Sequence, residues 1–300
     1  MKKIKQEIPD IILCGAIPAQ KTEIIERNPI TGKIYGEDET WEMALDPGKW
    51  GIDLSKEELQ EKIGEKLGWD YKTEARYPDI TNPEFQELLL SWAKKQIDLG
   101  IDAIWIDLLF KQAVFFYRIT GDPHHQAVKE SYEAACKIVD EIHRYGQLRG
   151  RYIYVGSWAT PILLPYDAPD LDFVTYVPTS EEVFNRRFDE DGWDEAVEEI
   201  RRGFGDVLIL AFLDSGPTVR SPLGVFSQNL TSTEQREFLR LADEFLQERG
   251  VVFAYPVHGM WMGDEATILS YRKSRMYDSL APEFETYETI RELAQRKGGG

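Results

Sequence analysis

The sequence predicts an α/β fold, and the best match is a (β/α)8 barrel with a long insertion after the first strand. From residue 80 onward, strand patterns alternate with helix patterns. The strands are apolar throughout, which is typical of parallel strands covered by helices on both faces. The chain has 300 residues, enough for one barrel, and we expect a single catalytic domain over 1–300. A doubly wound open sheet is the alternative.

Six strand patterns start near residues 11, 101, 151, 171, 206 and 251, and a seventh strand is considered in 49–55. The stretch "GIDAIWIDLLF" shows the type, because it is apolar and β-branched yet ends in an aspartate. An eighth strand is not visible in the pattern.

The helices are predicted from their start signals and apolar faces. In "TNPEFQELLLSWAKKQIDLG", Asn82 can cap the helix and Pro83 suits its first position. A second helix is expected at 127–145, ended by Gly146, and Thr231 begins a third with a capping box. Further helices are expected from Trp193 and over 283–296.

The region 19–60 differs from the rest of the chain, because it is rich in glycine, proline and charge and has little periodicity. Its one clear pattern is a short helix that Ser55 can cap. Loops that follow the strands of a barrel build its active-site face. We therefore expect 19–60 to form one wall of a cleft.

Composition narrows the classes of partner. The formal net charge of −18 argues against nucleic acid and against anionic lipid surfaces. No apolar run approaches the roughly 20 residues that span a bilayer. The run 11–17 is short for a signal peptide, so the location is left open between cytoplasm and secretion. Four asparagines among many charged residues lean toward a thermophile.

Cofactor and metal motifs are not found. The sequence has neither of the glycine-rich phosphate motifs, and its histidines and aspartates do not follow metal-ligand spacing. The two cysteines, Cys14 and Cys136, lie in apolar patterns and are expected to be buried free thiols. We therefore expect no cofactor and no metal, and the oligomeric state is left open.

Carboxylates follow several predicted strands. Asp107 and Asp214 each end a strand, while Glu181 and Glu182 follow the strand 171–177. Polar residues at the carboxyl ends of barrel strands indicate the active site. Glycoside hydrolysis needs two carboxyl groups, one as acid and the other as base or nucleophile. The structural alternatives are an ion pair for Asp107, an Asx turn for Asp214 and solvated positions for the glutamates.

Aromatic residues accompany these strands and could stack on sugar rings. The expected substrate-binding set is Trp105, Tyr154, Trp158, Tyr176, Tyr255 and Trp261, together with His258. Taken singly, each aromatic residue could equally belong to the core. As a group at strand ends, they favour a pocket.

Residues 67–109 resemble the glycoside hydrolases of the endo-α-1,4-polygalactosaminidase-like family. The matching residues are Trp69, Glu74, Asp79, Ile80, Asn82, Pro83, Gly100, Asp102 and Asp107. α-Amylases and α-galactosidases share the shorter helix-then-strand part of this pattern. The sequence departs from the family at Ala103, where a glycine is preferred, and at Val155, where an asparagine is usual.

The resemblance implies a sugar-cleaving barrel in which Asp107 is catalytic, Asp102 is structural, and Trp69 and Glu74 bind substrate. It also implies that the next catalytic carboxylate follows the strand "VTYV". Glu181 gives the closest spacing to the aromatic Phe184, and Glu182 is the alternative.

The function expected from the sequence is a glycoside hydrolase acting on an α-linked polysaccharide or oligosaccharide, a class that includes glycans with amino sugars. The acidic chain suits a cationic polymer. A barrel that binds glycan without cleaving it and a metal-dependent barrel hydrolase are the alternatives. The expected partner is carbohydrate, with neither nucleic acid nor membrane.

Overall fold

The computed structural model describes residues 2–159, 164–214, 220–259 and 277–298. Contacts between residues group the chain into two compact units. The first comprises Met1–Phe173 with Arg202–Gly205, and the second comprises Val174–Arg201 with Asp206–Gly300. Each unit is described by itself. The single domain expected over 1–300 stays a prediction.

The described residues form strands and helices with the following bounds. The strands are β1 (Cys14–Pro18), β2 (Thr22–Glu23), β3 (Glu26–Arg27), β4 (Ile34–Tyr35), β5 (Ala75–Arg76), β6 (Ala103–Asp107), β7 (Tyr154–Trp158), β8 (Phe173–Tyr176), β9 (Leu208–Ala211) and β10 (Val251–Phe253). The helices are α1 (Lys2–Glu7), α2 (Glu37–Met43), α3 (Lys56–Leu67), α4 (Pro83–Asp98), α5 (Lys111–Thr120), α6 (Gln126–Leu148), α7 (Ser180–Asn185), α8 (Glu190–Phe204), α9 (Pro222–Asn229), α10 (Ser232–Glu248) and α11 (Tyr287–Gly298).

The first unit is built on three parallel strands. β6 lies between β1 and β7 and pairs in parallel with both. The register places Trp105 opposite Ala16 on one side and opposite Gly156 on the other. Because side chains alternate along a strand, Trp105 and Asp107 share one face of the sheet. Ile104 and Ile106 lie on the other face and are fully buried.

Helices α4 and α6 form as their sequences predict. The Asn82 side chain accepts hydrogen bonds from the Glu84 and Phe85 amides, and Pro83 occupies the first turn. Helix α6 continues through Gly146, which was expected to end it. A Cβ at Gly146 would lie 2.5 Å from Ile153 Cγ1, so glycine is needed there for close approach to the following segment.

Residues 19–82 form an insertion with its own secondary structure. Two short antiparallel pairs, β2 with β5 and β3 with β4, accompany α2 and α3. Buried Asp79 joins this insertion to α5, because its Oδ1 accepts a 2.8 Å hydrogen bond from Gln112. Its Oδ2 lies 3.1 Å from Lys49 Nζ. These bonds anchor the insertion to the parallel strands and helices of the first unit.

In the second unit, strand order again follows chain order, from β8 through β9 to β10. β9 and β10 are parallel. Helix α10 begins with the predicted capping box, in which Thr231 and Glu234 exchange side-chain-to-backbone bonds. Its inner face buries Phe238 and Leu246 completely.

The predicted α/β class is confirmed. Each of the six predicted strands is present, and they contribute the parallel strands of the two units. Closure into eight strands stays a prediction. None of the described helices combines the length and apolar character that crossing a membrane would require.

Two local predictions are wrong, and one helix was not predicted. Residues 49–55 form no strand, because Pro47 starts a 3-10 turn that Gly51 ends with a left-handed φ of 71°. Helix α5 was not predicted and follows β6 almost directly. Cys14 is an exposed free thiol rather than a buried one, since its position on β1 lies on an uncovered face.

Asp102 is structural, as the resemblance implies. Its Oδ2 accepts a 2.9 Å hydrogen bond from the Leu13 amide, and its Oδ1 pairs with Lys5. Partial burial raises the pKa of this carboxyl, but the Leu13 and Lys5 hydrogen bonds outweigh it and bring the pKa below the ordinary value. The carboxylate therefore ties the start of β6 to the amino-terminal segment.

The packing of β7 yields a stability prediction. A Cβ on Gly156 would lie 2.2 Å from the Phe173 ring. We expect Gly156→Ala to lower the free energy of unfolding by about 1–3 kcal/mol through overpacking, measured by urea denaturation. Phe173→Leu in the same chain should recover part of the loss, because it removes ring atoms from the crowded position. Equal stability of Gly156→Ala and wild type would contradict this account.

Candidate functional site

Asp107 is the last residue of β6 and is partly buried. Its backbone carbonyl accepts a 3.2 Å hydrogen bond from the Ala19 amide, just beyond the end of β1. Its side-chain Oδ2 accepts a hydrogen bond from Gln20 Nε2. The strand end and the carboxylate are therefore both held by the segment that follows β1.

The turn after Asp107 is strained and is held by β7. Leu108 has a φ of 51°, a left-handed conformation that is unfavourable for a residue with a side chain. Ser157 is fully buried. Its hydroxyl donates to the Ile106 carbonyl at 2.7 Å and accepts from the Leu109 amide at 3.3 Å. One side chain thus brackets the two residues Asp107 and Leu108.

Two tryptophans lie on the same face as Asp107. Trp105 is two residues earlier on β6. Trp158 follows Ser157, which is in register with Ile106, so it stands beside Asp107 on the next strand. The two indole ring centroids are 5.9 Å apart. The carboxylate therefore adjoins a broad aromatic surface.

Tyr77 approaches the carboxylate from the insertion. It is 7 % exposed. The Gln60 side chain bonds to both its backbone amide and its carbonyl at 2.8 Å, which places the residue. Burial and, secondarily, the negative charge of Asp107 raise the pKa of its phenol above the usual range. Tyr77 is therefore a neutral phenol within electrostatic reach of Asp107.

These five residues form the Asp107 cluster, which comprises Asp107, Gln20, Tyr77, Trp105 and Trp158. It offers an oriented carboxylate, a neutral phenol and flat aromatic faces within one compact unit. A carboxylate in such a setting can act as a nucleophile, base or electrostatic stabiliser toward a developing positive charge. The aromatic faces can contact the apolar side of a sugar ring.

Glu182 has a structural position that the sequence analysis did not anticipate. Its Oε2 accepts hydrogen bonds from the Thr179 amide at 2.7 Å and hydroxyl at 2.9 Å. Its Oε1 accepts from the Asp189 amide and from Trp193 Nε1, both at 2.9 Å. A carboxylate offers about four acceptor positions, and here all four are occupied. These bonds give Glu182 a structural role between α7 and α8, and its predicted catalytic role stays a prediction.

Glu181 lines a cavity next to Glu182. It is exposed in the first turn of α7. The cavity has a volume of about 790 Å³ and belongs to the second unit. Its lining includes Tyr176, Glu181, Asn185, Arg187, Asp191 and Trp193. Tyr176 meets the buried Trp193 edge-on, with ring centroids 5.0 Å apart.

Asp214 lies three residues beyond the end of β9, and its backbone carbonyl accepts a 3.0 Å hydrogen bond from the Leu223 amide. This bond anchors the start of α9. Its side chain is partly buried. The structure therefore leaves its proposed role as a reserve carboxylate untested.

Two predicted substrate-binding tyrosines lie elsewhere. Tyr154 is the first residue of β7, the end of the strand away from Trp158, and packs edge-on against Tyr152 at 5.2 Å. Tyr255 donates a 2.6 Å hydrogen bond to the buried carboxylate of Asp243 on α10. Tyr154 therefore lies at the opposite end of β7 from Trp158, and Tyr255 is bonded to α10. The predicted role of both residues in substrate binding stays a prediction.

The other predicted substrate-binding residues are dispersed. His258 is exposed, with Nδ1 3.8 Å from the Asp278 carboxylate. Trp261 lies outside the described residues. Trp69 lies under Lys21, whose Nζ is 5.6 Å from the ring centroid, and Glu74 accepts a 2.8 Å hydrogen bond from the Asp70 amide. That bond places Glu74 in a local turn.

Sequence reasoning missed Gln20, Tyr77 and Ser157. A polar residue two positions beyond β1 is the signal that could have identified Gln20. Tyr77 follows a two-residue strand inside the insertion, where no periodicity marks it. Ser157 occupies a core position in the strand pattern, so only its neighbours in space show its role. Over the described ranges, no three potential ligands among His, Cys, Asp and Glu lie together as a metal site would need.

Comparisons with known proteins found solved structures alone. No family model matches the chain, and no curated protein does. The glycoside hydrolase domain of PelA from Pseudomonas aeruginosa is similar with a TM-score of 0.43 and 11 % identity, over 82 % of this chain and 78 % of that one. A debranching enzyme from Nostoc punctiforme is similar with a TM-score of 0.45 and 15 % identity, over 100 % of this chain and 60 % of that one. An α-amylase from H. orenii is similar with a TM-score of 0.35 and 15 % identity, over 62 % of this chain and 36 % of that one.

The four hydrogen bonds that Glu182 accepts lead to a stability prediction. Glu182→Gln replaces one acceptor oxygen with an N–H donor, which must face a donor already present. We expect the free energy of unfolding to fall by about 1–3 kcal/mol, measured by urea denaturation. Exposed Glu181→Gln, on the same turn, is the matched control and should change stability by less than about 0.5 kcal/mol. Similar effects for both variants would show that the four bonds do not stabilise the fold.

Proposed function

We propose that this protein is a glycoside hydrolase and that Asp107 is one of its catalytic carboxylates. The observation that carries the proposal is the placement of Asp107, at the end of a buried parallel strand beside Trp158 and Trp105. A carboxylate at a strand end beside flat aromatic faces suits the binding of a sugar ring next to an anionic group. From that position it could stabilise a positively charged, oxocarbenium-like transition state.

The surroundings of Asp107 support this role. Gln20 is a neutral hydrogen-bond donor to Oδ2, so it orients the carboxylate without adding a charge. Tyr77 is a buried, protonated phenol, which can donate a hydrogen bond to the carboxylate or to a sugar hydroxyl. Gln20 lies within the predicted insertion 19–60, whereas Tyr77 lies beyond residue 60, in the observed insertion 19–82. That this segment forms a wall of the cleft stays a prediction.

The reaction needs a second carboxyl group, and we assign this role to Glu181. Glu181 is favoured over Glu182 because Glu182 already accepts four hydrogen bonds, whereas Glu181 is exposed beside a cavity lined by Tyr176. Asp214 is the reserve. The sequence resemblance also favours Glu181, through its spacing to Phe184.

The substrate class proposed is an α-linked glycan, and the resemblance of residues 67–109 points to one with amino sugars. A net charge of −18 is compatible with a cationic polymer. The rival function is a glycan-binding protein without activity, which the aromatic surface alone would also suit. The two are separated by whether the wild type releases reducing ends from a glycan that it binds.

The central test is Asp107→Asn. The asparagine keeps the shape but cannot act as a nucleophile or a base, so we expect kcat to fall by about 10²–10⁴-fold. The assay is release of reducing ends from α-1,4-linked polygalactosamine, with amylose as the second glycan. Binding of the same glycan should persist, and the melting temperature should change little.

The matched control is Asp102→Asn, at the opposite end of the same strand. It removes a structural charge that pairs with Lys5, so it should lower stability while the folded protein keeps its kcat. Should Asp107→Asn instead melt early and turn over normally while folded, Asp107 would be a structural residue. Tight binding without reducing ends from the wild type would favour the glycan-binding alternative.

The aromatic surface yields a separate prediction. Trp158→Ala removes a ring that can stack on a sugar, and we expect KM to rise about tenfold, equivalent to ~1.4 kcal/mol, with a smaller change in kcat. Trp158→Phe should keep much of the affinity, because a flat ring remains. Steady-state kinetics on the cleaved glycan measures both values. An unchanged KM in Trp158→Ala would remove the tryptophan from the binding surface.

A further inference from the structure

We propose that Ser157 is a positioning residue that aims the Asp107 carboxylate without touching substrate; this inference rests on the proposed function. Ser157 is 0 % exposed. It alternates with Trp158 along β7, so its side chain lies on the opposite face of the sheet from the aromatic surface. Its hydroxyl bonds to the backbone next to Asp107, at Ile106 and Leu109.

Two hydrogen bonds of the Ser157 hydroxyl, to the residues on either side of Asp107 and Leu108, form what we call the Ser157 bracket. The Ser157 hydroxyl donates to the Ile106 carbonyl at 2.7 Å and accepts from the Leu109 amide at 3.3 Å. The bracket therefore closes over Asp107 and Leu108 from the neighbouring strand. On the other side, the Ala19 amide bonds to the Asp107 carbonyl at 3.2 Å. The backbone that carries the carboxylate is held between two strands.

The two hydrogen bonds of Ser157 hold Leu108 in an unfavourable backbone conformation. Leu108 has a φ of 51°, and a left-handed conformation costs roughly 1–2 kcal/mol for an L-residue. Without a restraint, Leu108 would relax toward the right-handed or extended region and rotate the peptide that follows Asp107. Because the Asp107 Cα is adjacent to that peptide, its side chain would turn away from its present direction.

The required residue type follows from these contacts. A single group must donate to one backbone atom and accept from another within a fully buried space, and a serine hydroxyl does both with the smallest volume. Alanine would leave the Leu109 amide without this acceptor. Threonine keeps the hydroxyl and suits a strand, at the cost of an added methyl group.

The effect on catalysis should appear in kcat rather than in KM. Misplacing a reacting group by about 1 Å can cost 10²-fold in rate, whereas the tryptophan rings remain in place. We expect Ser157→Ala to lower kcat about 10- to 100-fold on α-1,4-linked polygalactosamine or amylose, with KM changed by less than about twofold. Ser157→Thr should restore most of kcat.

A matched control separates positioning from stability. Ser91 is also buried and bonds to a carbonyl, that of Leu88 at 2.6 Å, but it lies within helix α4. Ser91→Ala should leave kcat unchanged. A comparable fall in kcat for Ser91→Ala would show that any loss of a buried serine impairs the enzyme, and the positioning role would be overturned.

The decisive experiment is a double-mutant cycle with Leu108→Gly. Glycine adopts a positive φ without steric cost, so removing Ser157 should reduce kcat less in the Leu108→Gly chain than in the wild type. An equal loss in both chains would mean that Ser157 does not act through Leu108. If the wild type cleaves one of the glycans and Ser157→Ala keeps its kcat, the positioning role is wrong and the proposed function stands. If the wild type cleaves neither glycan, the proposed function is wrong, and the positioning role is refuted with it.

Discussion

The carboxyl end of β6 is held from both neighbouring strands, and the candidate site depends on that restraint. β1 contributes the Ala19 amide, which bonds to the Asp107 carbonyl. β7 contributes the Ser157 hydroxyl, which spans from Ile106 to Leu109. The strained Leu108 lies between these anchors. A carboxylate on a backbone fixed in this way is oriented before any ligand arrives, which is the condition for electrostatic catalysis.

Carboxylates that share one sequence motif have different roles here. Asp79, Asp102 and Asp107 all belong to the segment that resembles the glycoside hydrolases. Asp79 pairs with Lys49 and Gln112 and fastens the insertion to the first unit. Asp102 pairs with Lys5 at the start of β6. Asp107 lies on the same face as two tryptophans and accepts a hydrogen bond from Gln20, and it is the member of the set for which we propose a catalytic role.

The insertion between β1 and α4 completes the surroundings of Asp107. Gln60, on α3, bonds to both backbone polar groups of Tyr77, and the negative charge of Asp107 adds to the burial that raises the pKa of the Tyr77 phenol. Gln20 lies at the beginning of the same insertion and bonds to Asp107 directly. A segment with little periodicity thus supplies two polar groups to the site, and its own fold depends on Asp79 and Gln112 at its far end.

Much of the fold could be predicted from the sequence, because its signals are local. Apolar runs marked the six parallel strands, and caps such as Asn82 and Thr231 marked helix starts. The same logic was available at Thr179, where Thr-x-x-Glu is a capping box. Had it been applied there, Glu182 would have been assigned a structural role from the sequence. The hydrogen bonds of Glu182 with Trp193 and Asp189 could not have been predicted from the sequence, because they form only when α7 and α8 pack together.

What the sequence by itself determined is the position of Asp107 at the end of an apolar strand and the tryptophan two residues before it. Strand period and register then follow from the alternation of side chains. Tertiary structure alone decided which residues surround the carboxylate. Gln20, Tyr77 and Ser157 are 87, 30 and 50 positions away along the chain. They reach Asp107 because β1, the insertion and β7 converge on the end of β6, and such convergence leaves no periodic trace in any one segment.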